Sequence, residues 1–205
     1  MIPHLRSLQS LTVPCMLQPR FWQMLARNGI FIPFLTVGFV CKALYEYLLL
    51  NASLISFIIK CPSYYPHRGP GSLGLFRALE TTDLAQITIS PFDWGIWYGD
   101  AEIEACLHRC AKLRRITLIF ENGRLPVYKD IQDTIETVSR LGDKISLEII
   151  GEGDIHRAVR ECCHSKDPPM KSLRQRLVFL ELQGLKSPIL YFRGRTDPHE
   201  DSDAF

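Results

Sequence analysis

Two short clusters of cysteine and histidine are the residues whose types and spacing could do chemistry. Segment 106–110 (CLHRC) places two thiols four residues apart, on one face of a helix, and segment 162–164 (CCH) repeats the combination. Four such side chains could hold a tetrahedral zinc ion. The paired C-x-x-C spacing of structural zinc sites is absent, however, and cysteine is a common core residue. We therefore predict buried thiols and no metal.

Catalytic signatures are missing elsewhere in the chain. Neither the nucleophile motif G-x-S-x-G nor the zinc motif H-E-x-x-H occurs. The glycine-rich segment 69–74 (GPGSLG) is interrupted by Pro70, and no lysine follows where a phosphate-binding loop needs one. Acidic and histidine side chains do not pair on one face of any predicted element. The sequence therefore predicts a protein that is not an enzyme and that holds no cofactor.

Composition bounds the class of protein. The chain has 205 residues, of which 46% are hydrophobic and 22% charged, as is typical of a folded protein with one or at most two domains. A net charge of +2 gives no reason to expect nucleic acid or an anionic membrane as a partner. Seven cysteines without dense spacing indicate free thiols in a reducing compartment. No secretory signal is visible, so we expect a cytoplasmic or nuclear protein.

A six-residue pattern, apolar at its first, fourth and sixth positions, organises the chain. The seven copies are 8–13 (LQSLTV), 32–37 (IPFLTV), 54–59 (LISFII), 84–89 (LAQITI), 113–118 (LRRITL), 144–149 (KISLEI, a degraded copy) and 177–182 (LVFLEL). Nearly every copy is followed by a helix-like segment, and such a spacing is typical of stacked repeats. The pattern predicts an α/β fold with about seven short parallel strands.

Each predicted strand has one buried and one exposed side. The fourth and sixth positions point to the same side of a strand, and the fifth points to the other. We predict that the exposed side binds a protein and that the fifth positions contribute to it: Thr12, Thr36, Ile58, Thr88, Thr117, Glu148 and Glu181. The alternative is an ordinary solvated sheet face, because threonine also favours strands without any binding role.

Two long loops carry a second candidate surface. Segments 61–72 and 91–99 each follow a predicted strand, so both emerge on the same rim. Together they hold the aromatic residues Tyr64, Tyr65, Phe92, Trp94, Trp97 and Tyr98. Exposed aromatic side chains often dominate the energy of a protein interface, which predicts a second protein-binding surface. Alternatively, the rings fold back and cover the edge of the core.

The stretch 29–60 is very apolar and requires a membrane test. Its apolar runs, 30–41 and 47–59, are both shorter than the roughly 20 residues that a spanning helix needs. We predict a strand, a helix and a strand here, and we keep a membrane-associated protein that uses 29–60 as an alternative. Residues 1–185 are predicted to form the repeat domain, and the polar tail 186–205 is predicted to be disordered.

The repeats resemble the leucine-rich-repeat family over about residues 5–185. The C-x-x-L phrase at 110–113 and the irregular repeat lengths are similar to the divergent repeats of F-box leucine-rich-repeat proteins of fungi. The resemblance implies an α/β solenoid with strands on the concave face and helices on the convex face. It also implies non-enzymatic protein recognition, as in the substrate-recognition part of a ubiquitin ligase.

The ligase function would need an F-box outside this chain. Leu125-Pro126 superficially resembles the start of an F-box, but it lies where a repeat helix belongs. A ligase adaptor is therefore an expected partner only if an F-box lies elsewhere. The alternative is a degenerate or fragmentary repeat protein that has kept no partner.

The repeats depart from the family at one position. Leucine-rich repeats usually carry asparagine or cysteine three residues after the last leucine, where the side chain satisfies the backbone of the turn. The corresponding residues here are Met16, Val40, Pro62, Phe92, Glu121, Glu152 and Leu185. We therefore expect turns that are satisfied in another way and an irregular coil.

Overall fold

The computed structural model describes residues 7–14, 18–59, 71–89, 101–120, 128–151, 153–164 and 168–181. These residues form an α/β fold with one sheet of seven parallel strands. The strands are β1 Ser10–Val13, β2 Phe34–Val37, β3 Ser56–Ile59, β4 Gln86–Ile89, β5 Arg115–Ile119, β6 Ser146–Gly151 and β7 Leu177–Glu181. The described helices are α1 Pro19–Arg27, α2 Lys42–Leu50, α3 Gly71–Leu79, α4 Ala101–Arg109, α5 Tyr128–Arg140, α6 Gly153–Cys162 and α7 Pro168–Gln175.

The strands lie side by side in the order in which they occur along the chain. Their register aligns the fourth positions of the first six sequence patterns into one continuous row: Leu11, Leu35, Phe57, Ile87, Ile116 and Leu147. It aligns the sixth positions into a second row: Val13, Val37, Ile59, Ile89, Leu118 and Ile149. All but Leu11 are buried, so the predicted apolar side is confirmed for these strands.

The helices pack against this apolar side of the sheet. Buried helical side chains such as Trp22, Leu44, Leu107 and Val159 join the two strand rows in one continuous core. A connection between neighbouring parallel strands is right-handed, so strands in chain order place their helices on a single face. The opposite side of the sheet is left without a helix in the described part of the chain. We call that side the open face.

The stretch 29–60 contains β2, α2 and β3, as the sequence predicted. Across the described ranges, no helix combines the length and apolar composition needed to cross a membrane.

One helix was not predicted from the sequence. Helix α6 ends at Cys162, a few residues before Pro168-Pro169. The same prolines also begin α7, which buries Met170 and Leu173. Proline fits the first turn of a helix because the backbone N–H groups there have no partner within the helix anyway.

The last strand corrects the sequence prediction. The register pairs Leu147 with Leu177 and Ile149 with Phe179, so β7 is shifted from the predicted alignment by three residues. An odd shift exchanges the two faces of a strand. Phe179 packs toward the helices, where its ring lies 4.9 Å from the ring of His156 and 4.7 Å from the guanidinium of Arg160.

This shift removes Glu181 from the predicted binding row. Glu181 pairs with Gly151, and Val178 is the residue that lies beside Glu148. The phrase 177–182 is apolar at five of its six positions, so several alignments satisfy the pattern. The packing of Phe179 against α6 selects the observed one.

Ion pairs connect consecutive repeats on the helical side of the sheet. Arg109 binds Glu80 at 2.7 Å, and Arg140 binds Glu104 at 3.0 Å. The hydrogen bonds from Arg109 lower the pKa of the Glu80 carboxyl. Lys112 pairs with Asp83 at 2.7 Å in the same manner. Exposed pairs of this type contribute about 0–1 kcal/mol each, so they orient the repeats more than they stabilise them.

Candidate binding surface on the open face

The open face carries the row of fifth positions that the sequence singled out. The register places Thr12, Thr36, Ile58, Thr88, Thr117 and Glu148 side by side across six strands, and Val178 continues the row on β7. The seventh predicted residue, Glu181, lies at a position of the opposite row. Six of the seven predicted positions therefore lie on one side of the sheet, but the predicted exposure is wrong for Thr88 and Thr117, which are buried.

A polar cluster lies on β5 and β6 of this row. The Arg115 Nε atom is 3.1 Å from Glu148 Oε1, and the Thr117 hydroxyl donates a hydrogen bond of 2.9 Å to Glu148 Oε2. Thr117 is 2% exposed, whereas the Arg115 side chain is 49% exposed. Each carboxylate oxygen of Glu148 thus has a partner, and Glu148 holds an accessible guanidinium in a fixed position on a rigid sheet.

The surroundings of this cluster differ on its two sides. Toward β1, Thr88 is buried and accepts a hydrogen bond of 3.4 Å from the amide of Gln86, while Thr12 is exposed. Toward the other edge of the sheet, Val178 and Leu180 are each 41% exposed. The open face therefore combines hydroxyl groups, one fixed ion pair and an apolar edge.

The aromatic residues predicted to form a second surface lie outside the described residues. Tyr64 and Tyr65 belong to 60–70, and Phe92, Trp94, Trp97 and Tyr98 belong to 90–100. The aromatic rim remains a prediction from the sequence.

The candidate zinc ligands are buried thiols, as predicted. Cys106, Cys110, Cys162 and Cys163 are thiols and not disulfides, and each is at most 7% exposed. Burial is the main cause that raises the pKa of Cys106 to about 11 and that of Cys110 to about 12. Within the described ranges, no group of three or more His, Cys, Asp or Glu side chains could hold a metal ion. Cys106 and Cys110 therefore stay protonated at neutral pH, and all four side chains fill core volume.

We expect these cysteines to resist alkylation in the native protein. Iodoacetamide reacts with the thiolate form of cysteine. A raised pKa lowers the fraction of thiolate, and burial keeps the reagent away from the sulfur atom. At pH 7.0 the native rate at Cys106 and Cys110 should be at least about a hundredfold below the rate in urea, since the thiolate fraction falls about tenfold for each unit by which the pKa rises. Mass spectrometry after timed labelling measures the rates. Native rates within threefold of those in urea would contradict the predicted protection.

A buried polar network between α2 and β2 was missed in the sequence. The Tyr47 hydroxyl donates to the carbonyl of Ile30 at 3.2 Å and accepts from the amide of Ile32 at 3.1 Å. The Asn51 amide donates to the Ile32 carbonyl at 3.0 Å, and Ser53 donates to Asn51 Oδ1 at 2.9 Å. Asn51 is fully buried. The network provides hydrogen-bond partners for the backbone groups of Ile30 and Ile32, just before the chain enters β2.

The sequence contained one signal for this network, which is an asparagine, Asn51, directly after the helix predicted within 29–60. Leucine-rich repeats carry asparagine or cysteine after each strand, and this chain has neither at that standard position. Asn51 lies before a strand, at the other end of the repeat, and it satisfies the backbone of the preceding repeat. Only the tertiary contact between Asn51 and Ile32 identifies this function.

No protein-family model, no curated protein and no solved structure matches the chain.

Proposed function

We propose that the chain is a leucine-rich-repeat-type solenoid that recognises another protein through its open face, without catalysis. One observation carries the proposal. Parallel sheets usually have both faces covered, whereas the described helices of this protein lie on one face of a seven-stranded parallel sheet. The exposed side chains of this rigid face, such as Arg115, can bind a partner with little loss of conformational entropy, whereas Thr88 and Thr117 on the same face are buried.

The side chains of the open face support this function. Arginine is enriched among the residues that dominate protein interfaces, and Arg115 is both exposed and oriented by Glu148. The exposed apolar residues Val178 and Leu180 add area that a partner could bury.

The test compares two exposed arginines that each pair with one glutamate. Arg115 lies on the open face, and Arg77 lies on the helical side, 3.1 Å from Glu102. We expect Arg115→Ala to weaken partner binding at least about tenfold, because truncating an interface arginine typically costs about 1–2 kcal/mol or more. Arg77→Ala should leave binding unchanged. Partners are identified by proximity labelling in cells, and affinities are then measured with purified proteins.

Equal binding by both variants and the unmodified chain would refute recognition through the open face. Thermal unfolding of the two variants verifies that both are folded. A chain that labels no partner above background would instead support the alternative of a repeat protein without a partner.

The resemblance to F-box leucine-rich-repeat proteins narrows the proposal to substrate recognition for a ubiquitin ligase in the cytoplasm or nucleus. In that case, the same labelling experiment with the full-length gene product should recover a cullin adaptor or another ligase subunit. Recovery of other partners without any ligase subunit would leave protein recognition in place and exclude the ligase function.

A further inference from the structure

Exposed apolar side chains concentrate in one part of the molecule. Seven large apolar residues of the described chain are exposed, and five of them lie between residues 31 and 55. The five are Phe31 at 38%, Phe34 at 46%, Leu49 at 51%, Leu50 at 59% and Ile55 at 40%. We call these five residues the apolar rim. Scattered exposed apolar residues are ordinary on protein surfaces, but a concentration of this type marks an interaction site.

Contacts made by Tyr47 and Asn51 hold Phe31 beside the end of α2. The ring of Phe31 lies 6.3 Å from that of Tyr47, whose hydroxyl bonds to the residues on both sides of Phe31. Asn51, which directly follows Leu50, binds the carbonyl of Ile32. Leu49 and Leu50 form the last turn of α2, so they lie next to the segment that carries Phe31.

Further contacts bring the remaining two residues to the same end of the sheet. The amide of Ile55 donates a hydrogen bond of 2.8 Å to the carbonyl of Pro33, the residue before Phe34. Phe34 begins β2 and pairs with Ser56, the residue after Ile55. The apolar rim therefore surrounds the point at which the chain enters β2 and β3, at one end of the sheet.

The part of the chain that carries the apolar rim is also the more positively charged part. Residues 1–79 contain seven lysines and arginines and one acidic residue, Glu46, a net charge of 7 − 1 = +6. Residues 80–205 contain seventeen lysines and arginines and twenty-one acidic residues, a net charge of 17 − 21 = −4. Glu46 lies 4.0 Å from Lys42, whereas Arg27 is exposed four residues before Phe31. The part of the chain that carries the apolar rim thus has a positive net charge, and the nearby Asp83, whose amide binds the carbonyl of Ala52, is paired with Lys112 at 2.7 Å.

We propose that the apolar rim attaches the protein to the surface of an anionic lipid bilayer. Apolar side chains at a helix end and at strand entries can enter the boundary between headgroups and acyl chains while the fold stays outside. Basic residues nearby favour anionic headgroups. This combination of exposed apolar side chains with a positively charged half of the chain is complementary to an anionic bilayer. The attachment uses a surface other than the ion-pair cluster on the open face.

The experiment is co-sedimentation of the purified full chain with vesicles. One set contains phosphatidylcholine with about one third phosphatidylserine, and the other contains phosphatidylcholine alone. We expect binding to the anionic vesicles, at least about fivefold weaker binding to the neutral ones, and loss of binding as the salt concentration rises.

Two double variants test the location of the attachment. Leu49→Ser with Leu50→Ser should weaken binding to anionic vesicles at least about tenfold, because two exposed apolar side chains are removed from the rim. Val178→Ser with Leu180→Ser removes two exposed apolar side chains from the far edge of the sheet and should bind as the unmodified chain does. Both pairs are exposed, so both variants should fold.

Three outcomes would overturn the proposal. The unmodified chain sediments with neither vesicle, or it binds both equally, or the rim variant binds as tightly as the control variant. A dimer in light scattering that dissociates on Leu49→Ser with Leu50→Ser would assign the rim to a second copy of this chain instead. Arg115→Ala should retain vesicle binding, so failure of the open-face function and failure of the membrane attachment can be told apart.

Discussion

Replacing Asn51 by alanine is expected to lower the free energy of unfolding by about 2–4 kcal/mol. The Asn51 side chain is fully buried, and its amide donates to the Ile32 carbonyl at 3.0 Å. Alanine would leave that carbonyl and the hydroxyl of Ser53 without this partner and would open a small cavity. Leaving a buried polar group unsatisfied costs more than a hydrogen bond contributes, which explains the large expected effect. Urea unfolding followed by circular dichroism measures it.

Two variants of the same network serve as controls. Tyr47→Phe removes the bonds to Ile30 and Ile32 but keeps the ring in the core, so we expect a loss of about 1–2 kcal/mol. Ser53→Ala removes one bond at an exposed residue and should cost less than about 1 kcal/mol. An effect of Asn51→Ala no larger than that of Ser53→Ala would contradict the role of Asn51 in satisfying the backbone.

Replacing Gly38 by alanine is expected to destabilise the protein by about 2 kcal/mol or more. A Cβ atom at this position would lie 2.2 Å from the carbonyl oxygen of Pro14, and backbone cannot yield as a flexible side chain can. The Gly38 amide also donates a hydrogen bond of 2.7 Å to the carbonyl of Val13, which holds the two segments together. Alanine must therefore displace the end of β1 from β2. The free energy of unfolding measures the result.

Gly74→Ala is the matched control. Its Cβ would meet the ring of Tyr45 at 3.3 Å, a contact that a small movement of the side chain relieves. Gly74 lies inside α3, where alanine favours the helix by about 0.5–1 kcal/mol over glycine. We expect this variant to be neutral or slightly stabilised. If Gly38→Ala is also neutral or slightly stabilised, the close approach of Gly38 to Pro14 does not contribute to the stability of the fold.

Much of the fold follows from local pattern. The spacing of Leu35 and Val37 within a six-residue phrase, repeated from β1 to β6, predicts strands with one buried side, and the register confirms it. Alternation has a period of two in a strand, so each copy alone determines which residues face the same way. The same pattern located six of the seven positions of the open-face row, and the buried Cys106 and Cys110 were predicted from residue type.

The sequence could not determine features that depend on contacts between distant residues. A nearly continuous apolar phrase at 177–182 fits more than one register, and the packing of Phe179 against His156 decides which one forms. The function of Asn51 depends on a carbonyl nineteen residues earlier. The fixed position of Arg115 depends on Glu148 in the next strand.

The apolar rim illustrates the same division. The sequence alone established that 29–60 is apolar and almost uncharged, and its short runs predicted strand, helix and strand. Only the tertiary structure separated the leucines and phenylalanines that fill the core, such as Leu48 and Phe57, from those left at the surface, such as Leu50 and Phe34. Periodicity determines which residues of one element share a side. Burial depends on what the neighbouring repeats place against that side, which a local pattern does not encode.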